Sequence, residues 1–112
     1  LAFNEAQPEL SPEEFAALGT RTLTLTPETK TANAIGDRCG AIDAMPEYAV
    51  TIGIKQILSA KKVRLGVFRE WHRSVVRQAA YGEVTAHFPV TLLQNHADAI
   101  IYTNAIAAGQ PF

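Results

Sequence analysis

Cysteine is almost absent from this sequence, because only Cys39 occurs among 112 residues. An internal disulfide is therefore excluded, and such sparse cysteine usage is typical of a protein in a reducing cytoplasm, which is the localisation we predict. Cys39 has no histidine or second cysteine at metal-ligand spacing, so the sequence predicts no metal site around it.

Strong charge of one sign and long apolar runs are also missing. The formal net charge is −1, which gives no general attraction to nucleic acid or to a membrane surface. The longest apolar runs are far shorter than a membrane span, and no charged-then-apolar signal segment opens the chain. We therefore expect neither a nucleic-acid partner nor a membrane partner.

Several widespread catalytic signatures do not occur in the sequence. It contains no Ser-His-Asp spacing, no glycine-rich phosphate loop, no Cys-x-x-Cys pair and no His-Glu-x-x-His pattern. Function must therefore be sought in residues that carry chemistry without a strong local signature.

Alternating strand and helix patterns are what the sequence does contain. Helix-start signals and helical spacing of apolar residues predict helices near 12–18, 27–36, 54–60, 69–81 and 89–95. Residue alternation and short apolar runs predict strands near 20–26, 48–53, 63–68 and 99–103. This order predicts an α/β fold with a mostly parallel sheet of about three to four strands flanked by helices. Such sheets bind ligands beyond the carboxyl ends of their strands.

One predicted strand–helix junction carries a cluster of basic residues. Arg69, Arg73 and Arg77 recur every four residues and so share one face of the predicted helix, with His72 beside them. A helix N-terminus favours an anion and a guanidinium suits phosphate, which makes Arg69 the strongest candidate. The alternative is a solvated helix face on which Glu70 pairs with Arg73.

Asn4 and Glu5 lie in a loop-like stretch near the start of the chain. A carboxylate at this position can orient a histidine or shuttle protons, although a plain surface acid is the alternative. His87 and His96 flank the predicted helix at 89–95, and lone histidines of this kind are more often packing or capping residues than ligands.

Four segments in the same order resemble motifs of the glucosamine-6-phosphate deaminase/isomerase family, which includes 6-phosphogluconolactonase relatives. The family motifs are Gly-His-Ile-Ala-Phe-Asn-Glu-Pro, Arg…Thr-Leu-Thr…Thr-x-x-Ala-Asn, Pro-x-x-Ala-x-Thr-x-Gly and Leu-Gln-x-His. The matching residues are Leu1–Glu5, then Arg21 with 24–26, Thr29, Ala32 and Asn33, then Pro46, Ala49, Thr51 and Gly53, and finally Leu93, Gln94 and His96.

This resemblance implies a partial Rossmann-like domain of the sugar-phosphate isomerase type, with residues 1–112 as its C-terminal part. It implies acid/base conversion of an amino-sugar 6-phosphate to a ketose 6-phosphate and ammonia, without a metal or organic cofactor. Glu5 inherits the glutamate that supports a catalytic histidine, and Asn4 belongs to the same motif. Arg69 or Arg73, with His72 beside them, would replace a phosphate-binding lysine of the family.

The departures from the family pattern keep other interpretations open. Ala6 replaces the motif's proline, Ile35 stands where deaminases have a phosphate-binding arginine, and Leu23 stands where allosterically regulated bacterial enzymes have a lysine. A 6-phosphogluconolactonase-like hydrolase and a non-catalytic sugar-phosphate-binding domain are the alternatives. The family's base, histidine and phosphate loop precede the position of Leu1, so we expect a longer parent protein, an inactive isolated chain and an open sheet edge that favours a homo-oligomer.

Overall fold

The structure, a computed structural model, describes residues 1–110. Helices and strands alternate along most of this length. The helices are α1 (Pro12–Ala16), α2 (Pro27–Asp37), α3 (Ile54–Ser59), α4 (Arg73–Tyr81) and α5 (Ala105–Ala108). The strands are β1 (Arg21–Thr24), β2 (Tyr48–Thr51), β3 (Val63–Val67) and β4 (Ala99–Thr103). Short 3₁₀ helices occupy Ile42–Ala44, Glu70–His72 and Pro89–Asn95.

The four strands form two separate pairs. In the first pair β1 and β2 run antiparallel, with Arg21 opposite Thr51. In the second pair β3 and β4 run parallel, with Val63 opposite Ala99. The predicted α/β class, with parallel strands flanked by helices, is therefore confirmed. The sheet was expected to be mostly parallel with about three to four strands, but its parallel part has two strands and β1 pairs with β2 in the antiparallel direction. A parallel pair needs a long crossover connection, which α4 and the segment after it supply here.

Two side-chain signals start the helices where the sequence predicted. The Ser11 hydroxyl accepts a hydrogen bond from the Glu14 amide, and the Glu14 carboxylate accepts one from the Ser11 amide. This reciprocal capping box fixes the start of α1. Thr26 caps α2 in a similar way, because its hydroxyl accepts a hydrogen bond from the Thr29 amide at 3.2 Å.

The core consists of two adjoining apolar clusters. Phe15, Ile54, Ala86 and Leu92 are almost fully buried in the first cluster. The second cluster lies between α4 and the β3–β4 pair, and its buried members are Ala79, Val90 and Leu93. Leu1 packs against both clusters. The first residues of the chain are therefore anchored in the core, which positions the segment that carries Asn4 and Glu5.

Gly53, between β2 and α3, occupies a position that only glycine can fill. A Cβ atom built there would lie 2.1 Å from the backbone oxygen of Leu18 and 2.4 Å from the backbone carbon of Gly19. Such contacts are with backbone atoms that cannot move aside cheaply. The α1–β1 connection therefore packs directly on the backbone that follows β2. The carbonyl of Ile52, which accepts a hydrogen bond from Asn4, belongs to this backbone segment.

Three predictions about helix length and exposure were wrong. The predicted helix over 69–81 begins only at Arg73, because Arg69 has an extended backbone and Glu70–His72 form a 3₁₀ turn. Trp71 was expected on the apolar stripe of this helix but lies 69% exposed. The β2 strand, expected to be buried, exposes Tyr48 and Val50, because no described element packs on that face.

Among residues 1–110, no helix has the length and apolar character that a bilayer crossing requires.

Candidate functional site

Glu5 is held at the N-terminus of α2 by two threonine hydroxyls. Thr26 donates a hydrogen bond to Glu5 Oε1 at 2.9 Å, and Thr29 donates a second one to the same oxygen. A carboxylate at a helix N-terminus is also stabilised by the helix dipole. Glu5 is therefore not a freely moving surface acid, because two hydroxyls fix one of its carboxylate oxygens.

Asn4 fixes the backbone that carries Glu5. Its side chain is 4% exposed. The amide group donates hydrogen bonds to Leu1 O at 2.9 Å and to Ile52 O at 2.8 Å. Its oxygen accepts a hydrogen bond from Arg21 Nη1 at 3.0 Å. Asn4 therefore acts as a structural clamp on the Glu5 segment.

Arg21 links this clamp to the first sheet. Its Nη1 atom also donates to Gly19 O at 3.1 Å, whereas its Nη2 atom is buried and has no hydrogen-bond partner among the described residues. The Thr51 hydroxyl, on the strand paired with β1, accepts a hydrogen bond from the Phe3 amide at 3.1 Å. Side chains from β1 and β2 thus hold the opening segment at Phe3 and Asn4.

A cavity of about 500 Å³ lies in front of Glu5. It is lined by the opening segment, the first turn of α2 and a loop that precedes the 3₁₀ helix at 89–95. Its lining residues are Asn4, Glu5, Ala6, Thr26, Glu28, Thr29, His87, Phe88 and Pro89. Two carboxylates, two hydroxyls and one imidazole therefore surround a space that can hold a small polar ligand.

A second cavity of about 300 Å³ contains Arg69. It lies between the later turns of α2 and the segment after β3, and its lining residues are Ala32, Ile35, Gly36, Arg69 and Trp71. Ile35 is the position at which the family resemblance leads one to expect a phosphate-binding arginine. The structure thus places the guanidinium-bearing residue Arg69 in the same cavity as Ile35, the residue that stands in place of the family's arginine.

The two cavities lie along one face of α2. Glu28 and Thr29 line the first, while Ala32, Ile35 and Gly36 line the second, and at 3.6 residues per turn these five positions share one side of the helix. Thr29 and Gly36 are seven residues apart, which corresponds to roughly 10 Å along the axis. This spacing matches the length of an extended sugar phosphate.

The other two arginines of the predicted cluster have different surroundings. Arg73 Nε donates to Ile106 O at 3.0 Å and its Nη1 donates to Gln110 O at 3.2 Å. Its Nη2 atom pairs with Glu70 at 3.5 Å, which confirms the alternative that Glu70 pairs with Arg73. Arg77 lines a separate depression with Tyr81. The structure therefore does not bring the three arginines together at one site.

His72 ends the 3₁₀ turn that follows Arg69. Partial burial and the Arg69 guanidinium lower the pKa of His72 below its ordinary value of 6.5. Its ring centroid is 3.9 Å from that of Trp71.

The shifted pKa of His72 predicts a pH-dependent stability. Because the folded chain binds a proton at His72 less readily than the unfolded chain, the free energy of unfolding should fall as pH drops below about 6.5. The loss should be complete once the pH is below the folded-state pKa. Replacing His72 with glutamine should flatten this part of the profile, as measured by urea denaturation between pH 5 and 8. An unchanged profile in H72Q would contradict the assignment.

The two remaining histidines differ in role. His96 is structural, as expected, because its Nε2 atom lies 2.6 Å from Ala60 O and its Nδ1 atom accepts a hydrogen bond from the Asp98 amide at 2.9 Å. His87 instead lines the Glu5 cavity. Sequence reasoning missed this placement because 82 positions separate the two residues, and no spacing rule connects them.

The part of the chain that the structure describes contains no group of three or more His, Cys, Asp or Glu side chains placed to hold a metal ion. Cys39 is exposed.

Fold and site together define a mixed α/β unit, in which one face of α2 carries a cavity lined by a carboxylate and a cavity lined by a guanidinium. No family model matches the chain. The chain is 33% identical over 108 residues to the glucosamine-6-phosphate deaminase of Clostridium perfringens, covering 96% of this chain and 41% of the relative. It is 33% identical over 89 residues to glucosamine-6-phosphate deaminase 1 of Bacillus subtilis, covering 80% of this chain and 36% of the relative.

A solved structure agrees with these relatives. A monomeric glucosamine-6-phosphate deaminase of the NagB superfamily superimposes with a TM-score of 0.81 at 32% identity, covering 95% of this chain and 41% of that chain. The chain belongs to the glucosamine-6-phosphate deaminase family. It spans about two-fifths of the length of the relatives that it matches.

Proposed function

We propose that residues 1–112 are the C-terminal part of a longer enzyme that converts an amino-sugar 6-phosphate to a ketose 6-phosphate and ammonia. The observation that carries this proposal is the pair of cavities on one face of α2, one lined by Glu5 and the other by Arg69. The family's name supplies the substrate class, and the spacing of roughly 10 Å along the helix fits a hexose phosphate in extended form.

Glu5 acts in this proposal through a neighbouring group rather than by abstracting a proton itself. Its Oε1 atom is fixed by Thr26 and Thr29, so its other oxygen has a defined direction. A carboxylate held in this way can keep a histidine in one tautomer and orientation, and it stabilises that histidine when it is protonated. The histidine would come from the residues that precede Leu1 in the longer protein.

Arg69 supplies the phosphate contact in the second cavity. It lies in the same cavity as Ile35, and Glu70 and Ile106 engage Arg73 instead. The guanidinium offers a planar fork for two phosphate oxygens. His72 lies beside it and can donate a further hydrogen bond to the ligand.

Exposed apolar surface supports a longer parent protein. Large apolar side chains that a folded domain normally covers lie on the outer faces of both strand pairs and include Tyr48, Val50, Ile100 and Tyr102. We propose that the additional length seen in the relatives covers these faces. Alternatively, a second copy of the isolated chain covers these faces. Sedimentation at increasing concentration distinguishes the two possibilities, because only self-association raises the apparent mass. The exposed single thiol of Cys39 fits a cytoplasmic location.

An assay of the full-length protein tests the reaction. Ammonia release and ketose 6-phosphate formation from glucosamine 6-phosphate are expected, with no turnover by residues 1–112 alone. Hydrolysis of 6-phosphogluconolactone without ammonia release from the amino sugar would favour the lactonase alternative. Binding of glucosamine 6-phosphate without either reaction would favour a non-catalytic binding domain.

Replacing Arg69 should chiefly weaken substrate binding. We expect R69A to raise the KM for glucosamine 6-phosphate by about ten- to a hundredfold, because a charge-assisted contact to phosphate contributes roughly 1.5–3 kcal/mol. R69K should recover part of the loss. Arg77 is a matched control, since it lines a different depression, and R77A should leave KM within about twofold. Equal effects of R69A and R77A would remove Arg69 from the phosphate site.

A further inference from the structure

We infer that His87 is a substrate-contacting residue that selects the hydroxyl- or amino-bearing end of the ligand in the Glu5 cavity. This inference rests on the proposed function and adds a specificity residue to it. Its starting observation is that His87 lines the same cavity as Glu5, Glu28 and Thr29, although it comes from a distant loop.

The backbone that carries His87 is held rigidly. The preceding residue, Ala86, is fully buried, and its carbonyl accepts a hydrogen bond from the Gln7 amide at 3.0 Å. The His87 amide donates to Thr85 Oγ1 at 3.1 Å. This loop is thus tied directly to the segment that follows Glu5, so the two sides of the cavity keep a fixed relation.

A buried threonine stabilises the same loop through hydrogen bonds to its backbone. Thr91 is fully buried, and its hydroxyl donates to Phe88 O at 2.7 Å while accepting from the Thr85 amide at 2.9 Å. The residues on both sides of His87 are therefore fixed by one hydroxyl. A side chain on such a braced loop is preorganised for contact, so a ligand need not order it on binding.

The imidazole of His87 is available for a ligand. Within residues 1–110 its ring makes no hydrogen bond, whereas both ring nitrogens of His96 are engaged with Ala60 and Asp98. The two histidines are nine residues apart, so the same residue type has a structural role at one end of the 3₁₀ helix and an open role at the other. An unpaired imidazole can donate one hydrogen bond and accept another.

The charges around His87 decide which end of a sugar phosphate it contacts. Glu5 and Glu28 line this cavity, and two carboxylates oppose the approach of a phosphate dianion. Hydroxyl groups donate to carboxylates, and an amino group is attracted to them in its ammonium form. The phosphate therefore belongs at the Arg69 end, and His87 contacts the hydroxyl- or amino-bearing carbons.

Substitutions of His87 in the full-length protein test this assignment. We expect H87A to raise the KM for glucosamine 6-phosphate by about tenfold, with kcat changed less than about threefold, because one neutral hydrogen bond to the ligand is lost. H87Q keeps a donor and an acceptor and should recover most of the affinity. E83Q is a matched control in the same loop, because Glu83 is exposed and outside the cavity. A KM for H87A equal to that of E83Q would overturn the inference.

A binding measurement separates this inference from the proposed reaction. If the full-length protein shows no turnover, calorimetric titration with glucosamine 6-phosphate replaces the kinetic assay. About tenfold weaker binding by H87A, with normal binding by E83Q, would support the role of His87 although the reaction is absent. Normal turnover with an unaffected H87A variant would retain the proposed function and reject the inference. Absence of both turnover and binding would reject both.

Discussion

Replacing Glu5 with glutamine is expected to lower the kcat of the full-length protein by about two to three orders of magnitude. Glutamine is nearly isosteric, so the hydrogen bonds from Thr26 and Thr29 can still form to its amide oxygen. What is lost is the negative charge that orients a histidine and stabilises it in its protonated form. KM should change little, since the amide fills the same volume. Steady-state kinetics with glucosamine 6-phosphate measure both quantities.

Two further variants show whether the loss reflects the charge or the fold. Glu9 is exposed and lies outside both cavities, so E9Q removes one negative charge without touching the site. It should retain nearly full kcat. The thermal unfolding of E5Q should match that of E9Q within a few degrees. A kcat for E5Q within threefold of that for E9Q would show that Glu5 is an ordinary surface acid.

Replacing Asn4 with alanine is expected to lower the free energy of unfolding by about 3 kcal/mol. The substitution removes hydrogen bonds to Leu1 O and Ile52 O and leaves Arg21 without its acceptor at Asn4 Oδ1. Because these groups are largely buried, water cannot replace the lost partners at no cost. Arg21 already has one unpartnered nitrogen, which makes a further loss at this guanidinium more costly.

Urea denaturation of the 112-residue chain measures the effect of N4A directly. Asn95 provides a matched control, because it is exposed and its side chain makes no hydrogen bond within residues 1–110. N95A should therefore change stability by less than about 0.5 kcal/mol. A loss for N4A as small as that for N95A would mean that the opening segment is not clamped. In that case Glu5 would have no defined position at α2.

Local signals explain which elements the sequence could predict. The Ser11 capping box and the Thr26 cap lie within three residues of the groups they bind, so their effect can be read from neighbouring letters. The alternation of Thr and Leu around β1 and the apolar run of β4 likewise determine their own conformation. These elements appear where they were expected, within a few residues at each end.

Pairing over long sequence distances explains what could not be predicted. Glu5 meets Thr29 across 24 positions, and Arg69 lines the same cavity as Ile35 although the two residues are far apart in the sequence. The 3₁₀ turn at Glu70–His72 separates Arg69 from the helix. The spacing of four residues between Arg69 and Arg73 therefore does not place them on one helical face, because that expectation requires a continuous helix. Glu5 and Arg69 could nevertheless be predicted as candidates, because a carboxylate and a guanidinium indicate their chemistry from residue type alone.

The central claim is that one ligand occupies both cavities along α2. A crystal structure of the full-length protein with an unreactive, reduced analogue of glucosamine 6-phosphate tests it most directly. The account predicts the phosphate within hydrogen-bond distance of the Arg69 guanidinium and the hydroxyl- and amino-bearing carbons in the cavity of Glu5 and His87. A phosphate bound away from Arg69, or an analogue bound outside the face of Thr29 and Gly36, would contradict it.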